Sequence, residues 1–236
     1  MNENKKSNSG PILTEEDIPL QIKSSLKGIV SQDLFSGVII VAKDDKIIYQ
    51  SCHGYANIPL ELPSDFDTKF NLGSMNKMFT SIAIAKLVQE EKLSFENTIA
   101  DILPDVTIDQ AEKIKIHNLL THSSGLGSFF TPEYMKNKDK YLDIGDLLPL
   151  IEQEKLAFSP GERFQYSNSG FEVLGMIIEK VSGVSYFDFV KKYVYLSAGM
   201  KDTDSYRIDE QISNIAEGYT QMSMKGPDIK EELRTL

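Results

Sequence analysis

Between Met75 and Val88 the chain is dominated by apolar positions: Met75, Met78, Phe79, Ile82, Ala83, Ile84, Ala85, Leu87 and Val88. After Lys77 only Thr80, Ser81 and Lys86 interrupt them. A helix that is apolar most of the way round is a buried one, so this stretch predicts a buried helix running to about Glu91. Upstream, Ile22, Leu26, Ile29 and Val30 fall on one face of a second helix that follows Pro19. Thr14 with Asp17 resembles a capping box before it. Phe35–Ala42 and the return run Ile47-Ile48-Tyr49, joined by Lys43-Asp44-Asp45-Lys46, read as a β-hairpin. Its continuous apolar centre predicts a sheet covered on both faces.

Later elements are shorter. Residues 56–69 read as a connecting loop with two prolines, and Ile99–Leu103 as a short turn or helix ending at Pro104. Ile116–Thr121 reads as a short helix, His122–Gly127 as a loop, and 131–142 as polar and irregular. Asp143 and Asp146 open a helix through Leu147, Leu150 and Ile151 to Lys155. Pro160-Gly161 marks a turn, and Phe164–Asn168 follows in extended form. Ser169 with Glu172 reads as a capping box for a helix carrying Val173, Leu174, Ile177, Ile178 and Val181, which stops at Gly183. Glu179 and Lys180 read as its solvated face. A further helix covers Tyr186–Tyr195.

Composition narrows the class. The chain has 236 residues, 41% hydrophobic and 25% charged, with a net charge of −10. That balance argues against nucleic acid and anionic membrane surfaces as partners. No apolar run has the length of a membrane span. The N-terminus MNENKKSNSGP lacks the apolar core of a signal peptide, and residues 1–13 are polar enough to be disordered. As written the chain reads as cytoplasmic; an exported chain whose signal had been removed would read the same. Cys52 is the one cysteine, so no internal disulfide forms, and its place beside an apolar strand suggests a small buried hydrophobe.

The candidate chemistry sits at the start of the apolar helix. Gly73 permits a close backbone approach just before Ser74. Lys77 lies three residues on and shares a helix face with Ser74. Burial and the helix dipole both favour a neutral amine there, and such an amine can take the serine proton. The Ser74 backbone N–H can face a developing oxyanion. Spacing alone is weak evidence, because Ser-x-x-Lys arises about once by chance in a chain of this length. A second copy, Ser24 to Lys27, lies on an amphipathic face without a glycine before it. His117 and His122 lack acidic or cysteine companions at metal-ligand spacing, so no metal and no cofactor is implied. His122 reads as a structural hydrogen-bonder. A Ser-His-Asp arrangement finds no Gly-x-Ser-x-Gly elbow.

Two segments together point to a family. FNLGSMNKMFTSIAIAKL resembles the nucleophile helix of the serine β-lactamase and penicillin-binding-protein superfamily, whose first motif is Ser-x-x-Lys. PGERFQYSNSGFEVLGMIIEKVSG resembles the second-motif segment of its class C β-lactamase-related branch, with Tyr-x-Asn as Tyr166-Ser167-Asn168. HNLLTHSSGL, IADILPD and FSGVIIVAKDDKIIYQSCHGYAN are also similar to that branch, so the resemblance runs from about Phe35 to about Thr203. The other Tyr-x-Asn, Tyr55-Ala56-Asn57, neither follows a Pro-Gly turn nor precedes a capped helix.

The resemblance implies an α+β, β-lactamase/transpeptidase-like fold: an antiparallel sheet flanked by helices, with a large helical lobe. It divides the chain into a disordered tail (1–17), a helix and hairpin of the sheet lobe (18–69), and a helical lobe with both motifs (70–203). A truncated start of the return to the sheet lobe follows (204–236). It implies an acyl-serine hydrolase acting on an amide, β-lactam or ester carbonyl in a small molecule or peptide. Ser74 would be the nucleophile, Lys77 and Tyr166 would move its proton, and Asn168 would bind Lys77 and the substrate amide. The family's third motif, Lys-Thr/Ser-Gly or His-x-Gly, is not found. Lys225-Gly226 lacks the middle residue, and His122-Ser123-Ser124-Gly125 has the wrong spacing. That motif supplies an oxyanion donor worth on the order of 10²–10³ in rate, and its strand completes the sheet, so the sheet is expected to be incomplete here. The second reading is therefore a truncated or degenerate non-catalytic member that binds a ligand or partner, or that needs a missing C-terminal segment.

Overall fold

A computed structural model describes residues 14–32, 34–207 and 209–219, and the backbone of 220, 222–223, 226–227 and 234–235. The tail expected to be disordered lies, over residues 1–13, outside the described residues, as does Lys225. The chain divides into two compact units, Met1–Asn71 with Ile212–Leu236, and Leu72–Gln211.

The first unit opens with helix α1, Asp17–Val30. Thr14 and Asp17 are linked as expected of capping partners: the Asp17 carboxylate accepts from the Thr14 backbone N–H at 3.0 Å and from its hydroxyl at 2.6 Å. The reciprocal bond goes to the Thr14 carbonyl instead of its hydroxyl, so the box is half formed. Strands β1 (Gly37–Lys43) and β2 (Lys46–His53) pair antiparallel, with a register shift between Val41 and Ala42. Their two-residue turn places Asp44 and Asp45 at φ of 49° and 61°, the handedness that matches strand twist in a tight hairpin. The expectation of a sheet covered on both faces is corrected. Among the described residues this sheet has two strands, and Ile40 and Ile47 are 55% and 57% exposed. Apolar strand sequence records a need for cover, not its presence. Cys52, expected to be buried, is half-buried on β2. The segment expected as a plain loop forms a second small pair, β3 (Tyr55–Asn57) with β4 (Leu62–Pro63).

The second unit is helical. A 3₁₀ turn, Gly73–Asn76, leads into α2, Lys77–Gln89. Only one stripe of α2 is buried: Phe79, Thr80, Ala83, Ile84 and Leu87. Met75, Met78 and Ile82 are exposed, which corrects the expectation of a wholly buried helix. An all-round apolar sequence does not specify which faces find neighbours. Short helices α3 (Ile99–Ile102) and α4 (Ile116–Leu120) follow. The stretch expected to be irregular holds α5, Pro132–Asn137. Its signals are local: the Thr131 side chain accepts from the Tyr134 N–H, and Pro132 occupies the first turn. The helix expected from Asp143 to Lys155 is shorter, a 3₁₀ turn Ile144–Leu147 and then α6, Leu148–Ile151.

Helix α7, Ser169–Ser182, ends at Gly183, which is left-handed at φ 74°. It packs against α2. Ile84 and Leu87 of α2 share one core with Leu174, Ile177 and Ile178 of α7, and each fully buried side chain of this size contributes about 1.5–3 kcal/mol. The capping box expected from Ser169 and Glu172 does not form. Ser167 supplies the cap, its Oγ accepting from the Gly170 N–H at 2.9 Å. Helix α8, Tyr186–Val190, continues into a π turn, Lys191–Tyr195. Glu179, expected to be merely solvated, accepts from the Tyr186 N–H at 2.8 Å.

Candidate active site

Two chain segments meet at Ser74. The first is the turn before α2. Gly73 has φ of 53°, a conformation that costs other L-residues roughly 1–2 kcal/mol. A Cβ on Gly73 would meet nothing within 4 Å. Its use is therefore backbone freedom, and the expectation of a close approach is corrected. The tight turn sets Ser74 at the surface while Lys77 begins α2, half-buried.

The second segment runs from Phe164 to Asn168. Its backbone is held by the loop after α4. The Gln165 N–H donates to the His122 carbonyl at 2.8 Å, and the Ser167 N–H to His122 Nδ1 at 3.1 Å. The fully buried Ser167 hydroxyl donates to the Gly127 carbonyl at 2.9 Å. Gly125 is essential to this loop: it has φ of 86°, and a Cβ would stand 2.4 Å from the Phe158 carbonyl. Glu154 ties the same elements together, accepting from the Gly127 N–H at 2.8 Å and from the Ser169 hydroxyl.

These constraints bring the four sequence-selected residues together. Lys77 Nζ donates to Asn168 Oδ1 at 2.9 Å and to Ser74 Oγ at 3.3 Å. The Tyr166 hydroxyl lies 2.7 Å from Ser74 Oγ. Lys77 Nζ also stands 5.2 Å from the Tyr166 ring centre and 5.6 Å from that of Phe171, within cation–π reach. Asn168 Nδ2 donates to Ser128 Oγ at 3.2 Å, which fixes the amide so that its oxygen faces the lysine. By contrast Ser24 and Lys27 lie on α1, and Tyr55 and Asn57 on β3, both in the other unit.

The surroundings of Tyr166 lower its phenol. Burial pushes the Tyr166 phenol up, but the hydrogen-bonding influence of Lys77 and Ser74, with the lysine charge, more than offsets this and leaves it below the usual phenol range. Burial, then the same charge, hold His122 below the ordinary imidazole range. Its ring packs on Tyr166 at 4.5 Å between centres, so it supports the tyrosine through packing and through the Ser167 amide. Sequence reasoning did not single out Ser128, Glu154 or Ser167. Among the described residues, no three His, Cys, Asp or Glu side chains cluster as a metal site, and no helix is long and apolar enough to cross a membrane.

This arrangement, a serine hydroxyl on a helix-leading turn with a lysine and a tyrosine on it, is that of a β-lactamase-like protein. The Beta-lactamase family model matches residues 22–234, and the chain belongs to that family. It is 33% identical over 196 residues to penicillin-binding protein 4* of Bacillus subtilis, covering 78% of this chain and 42% of that protein. The crystal structure of a penicillin-binding protein from Bacillus halodurans superposes with a TM-score of 0.74 at 30% identity, covering 89% of this chain and 64% of that one. EstCE1, described as a hydrolase with promiscuous acyltransferase activity, gives a TM-score of 0.74 at 26% identity over 94% and 60% of the two chains. The chain thus spans less than two thirds of the length of each. The fold is of the α+β β-lactamase/transpeptidase type.

Proposed function

We propose that this chain carries the nucleophile and proton-transfer groups of an acyl-serine hydrolase. The observation that carries the reading is the convergence of Tyr166 OH and Lys77 Nζ on Ser74 Oγ, at 2.7 Å and 3.3 Å. Ser74 Oγ attacks a substrate carbonyl, and its proton passes to Tyr166 in its phenolate form. The carbonyl oxygen becomes an oxyanion, towards which the Ser74 backbone N–H serves as one donor. Collapse of that intermediate breaks the bond to the leaving group, which takes the proton from Tyr166. An ester joins the acyl group to Ser74. Water then attacks this ester, losing its proton to Tyr166, and Ser74 regains a proton as the acid departs. Lys77 stabilises the phenolate through its charge. Asn168 holds Lys77 through Oδ1 and binds the substrate amide. How Lys77 and Tyr166 divide the proton is a property of the pair.

The substrate class this reading supports is a small molecule or peptide with an amide, β-lactam or ester carbonyl. The relatives described as penicillin-binding proteins and as a hydrolase favour it. Intact-protein mass spectrometry tests it. The chain and its Ser74→Ala variant are incubated with a penicillin and with an activated short-chain ester. The expected result is a covalent adduct on the unaltered chain only. An adduct of equal yield on Ser74→Ala, or none on either from a folded sample, refutes the reading.

A further inference from the structure

A cavity of about 330 Å³ lies beside Lys77, lined by the turn before α2, by α2, α7 and α8, and by residues 141–144. Lys77, Thr80, Phe171, Glu172 and Tyr186 line it. Glu172 lies four residues after Asn168, one turn along α7, so the two side chains share the face that Lys77 meets. Asn168 bonds Lys77 directly. Glu172 is half-buried on the cavity wall, and among the described residues no hydrogen bond reaches its carboxyl. Burying an ionisable group without a donor is costly, and here burial pushes the carboxyl up to about 7, against the opposing pull of the Lys77 charge. No step of the reaction described above uses it.

Among the described residues, Lys77 is the cation whose charge acts on Glu172. From α8, Tyr186 is pushed up to about 12, mainly by burial, and its hydroxyl lies 2.7 Å from Thr80 Oγ1. From α5, Tyr134 is raised by burial and then by the Glu172 charge. Both phenols are neutral neighbours. Asp143, which also lines the cavity, pairs with Arg207 at 3.5 Å. Among the described residues, the Lys77 charge is the one that stabilises the Glu172 carboxylate.

We propose that Glu172 is a positioning residue for the acyl-serine reaction, acting through Lys77. Its carboxylate attracts the Lys77 ammonium across the shared cavity, without a direct ion pair, while Asn168 bonds it directly. The charge that lowers the Tyr166 phenol is thereby kept beside Ser74. When Glu172 is protonated this attraction is lost, and the Lys77 charge is held by Asn168 alone. The kinetic consequence rests on the acyl-serine reading; the coupling of the two charges does not.

The experiment has two arms on the full chain. In the first, carbon-13 NMR of carboxyl-labelled glutamate follows Glu172, assigned by the signal missing from Glu172→Gln. Its midpoint is expected near 7 in the unaltered chain. It is expected to rise by about one pH unit or more in Lys77→Met, checked for folding by circular dichroism. An unmoved midpoint overturns the proposal, whatever the catalytic activity. In the second arm, kcat/KM for an activated ester is measured against pH. Glu172→Gln is expected to match the unaltered chain below about pH 6 and to fall about tenfold behind it above pH 7, the equivalent of one unit of coupling. Glu172→Asp restores part of the loss. A Glu172→Gln profile reduced by one factor at every pH marks a structural role and overturns the proposal. A lack of turnover in the unaltered chain with an intact NMR coupling counts against the acyl-serine reading and leaves the charge pair standing.

Discussion

Replacing Ser167 by alanine tests how the site is held. Ser167 sits between the two motif residues Tyr166 and Asn168 and is fully buried. Its Oγ donates to the Gly127 carbonyl at 2.9 Å and accepts from the Gly170 N–H at 2.9 Å. The variant loses a helix N-cap, worth about 1 kcal/mol. It also leaves the Gly127 carbonyl without its partner, at about 1–2 kcal/mol for a group that is not fully shielded. The expected loss is about 2–3 kcal/mol, a large fraction of the roughly 5–15 kcal/mol that holds a typical domain. The variant should therefore fold but melt earlier. Urea unfolding followed by circular dichroism reads the loss. The acylation rate of the still-folded variant reads the second effect, because an ångström of displacement near reacting atoms costs on the order of 100-fold. A loss under about 0.5 kcal/mol with an unchanged acylation rate would refute the idea that Ser167 fixes Tyr166 and Asn168.

Two further outcomes follow from the same geometry. Gly73→Ala and Gly125→Ala both place alanine at positive φ, but only Gly125 meets a backbone atom, at 2.4 Å. Gly73→Ala should cost about 1–2 kcal/mol and Gly125→Ala clearly more; equal losses on urea unfolding would count against this distinction. Glu172 predicts a pH dependence of stability. Its folded value of about 7 lies above the ordinary 4.5, so the folded chain binds this proton more tightly. Its contribution is full below pH 4.5 and is lost as pH rises through 7, a change of about 3 kcal/mol. Glu172→Gln should match the unaltered chain near pH 4 and exceed its stability at pH 8; a constant difference between the two would refute the assignment.

The helices were legible where apolar periodicity met a clear stop, and less so elsewhere. Helix α7 has both, a stripe from Val173 to Val181 and Gly183 after it, and it ends there. Helix α5 has almost no apolar stripe, and only Thr131 and Pro132 mark its start. Its aromatic partners lie along the chain in both directions: Tyr134 packs on Phe129 and on Tyr141, at 5.2 Å and 5.5 Å between ring centres. Burial was harder to read than helicity. The α2 sequence carries apolar residues around its whole circumference, and the packing selects one stripe of them. Nothing local distinguishes Ile84, which faces α7, from Ile82, which does not.

At the candidate site, the residues proposed to carry the chemistry were visible in the sequence and the residues that hold them in place were not. Ser74, Lys77, Tyr166 and Asn168 stand out because two short spacings occur in the right order and context. Glu154, Ser128 and Ser167 carry no such signal, because each acts through a partner far away in sequence: Glu154 through Gly127, Ser128 through Asn168, Ser167 through Gly127. Capping rules misled at one point for the same reason. Ser169 followed by Glu172 has the spacing of a capping box, yet Ser169 donates to Glu154 and Glu172 lines the cavity that Lys77 also lines. A short polar side chain at a helix start has several backbone and side-chain partners within reach, and the fold decides among them. The middle position of Tyr-x-Asn is therefore not free in this chain. Its hydroxyl caps α7, its amide holds His122, and both bonds fix the angle at which Tyr166 meets Ser74.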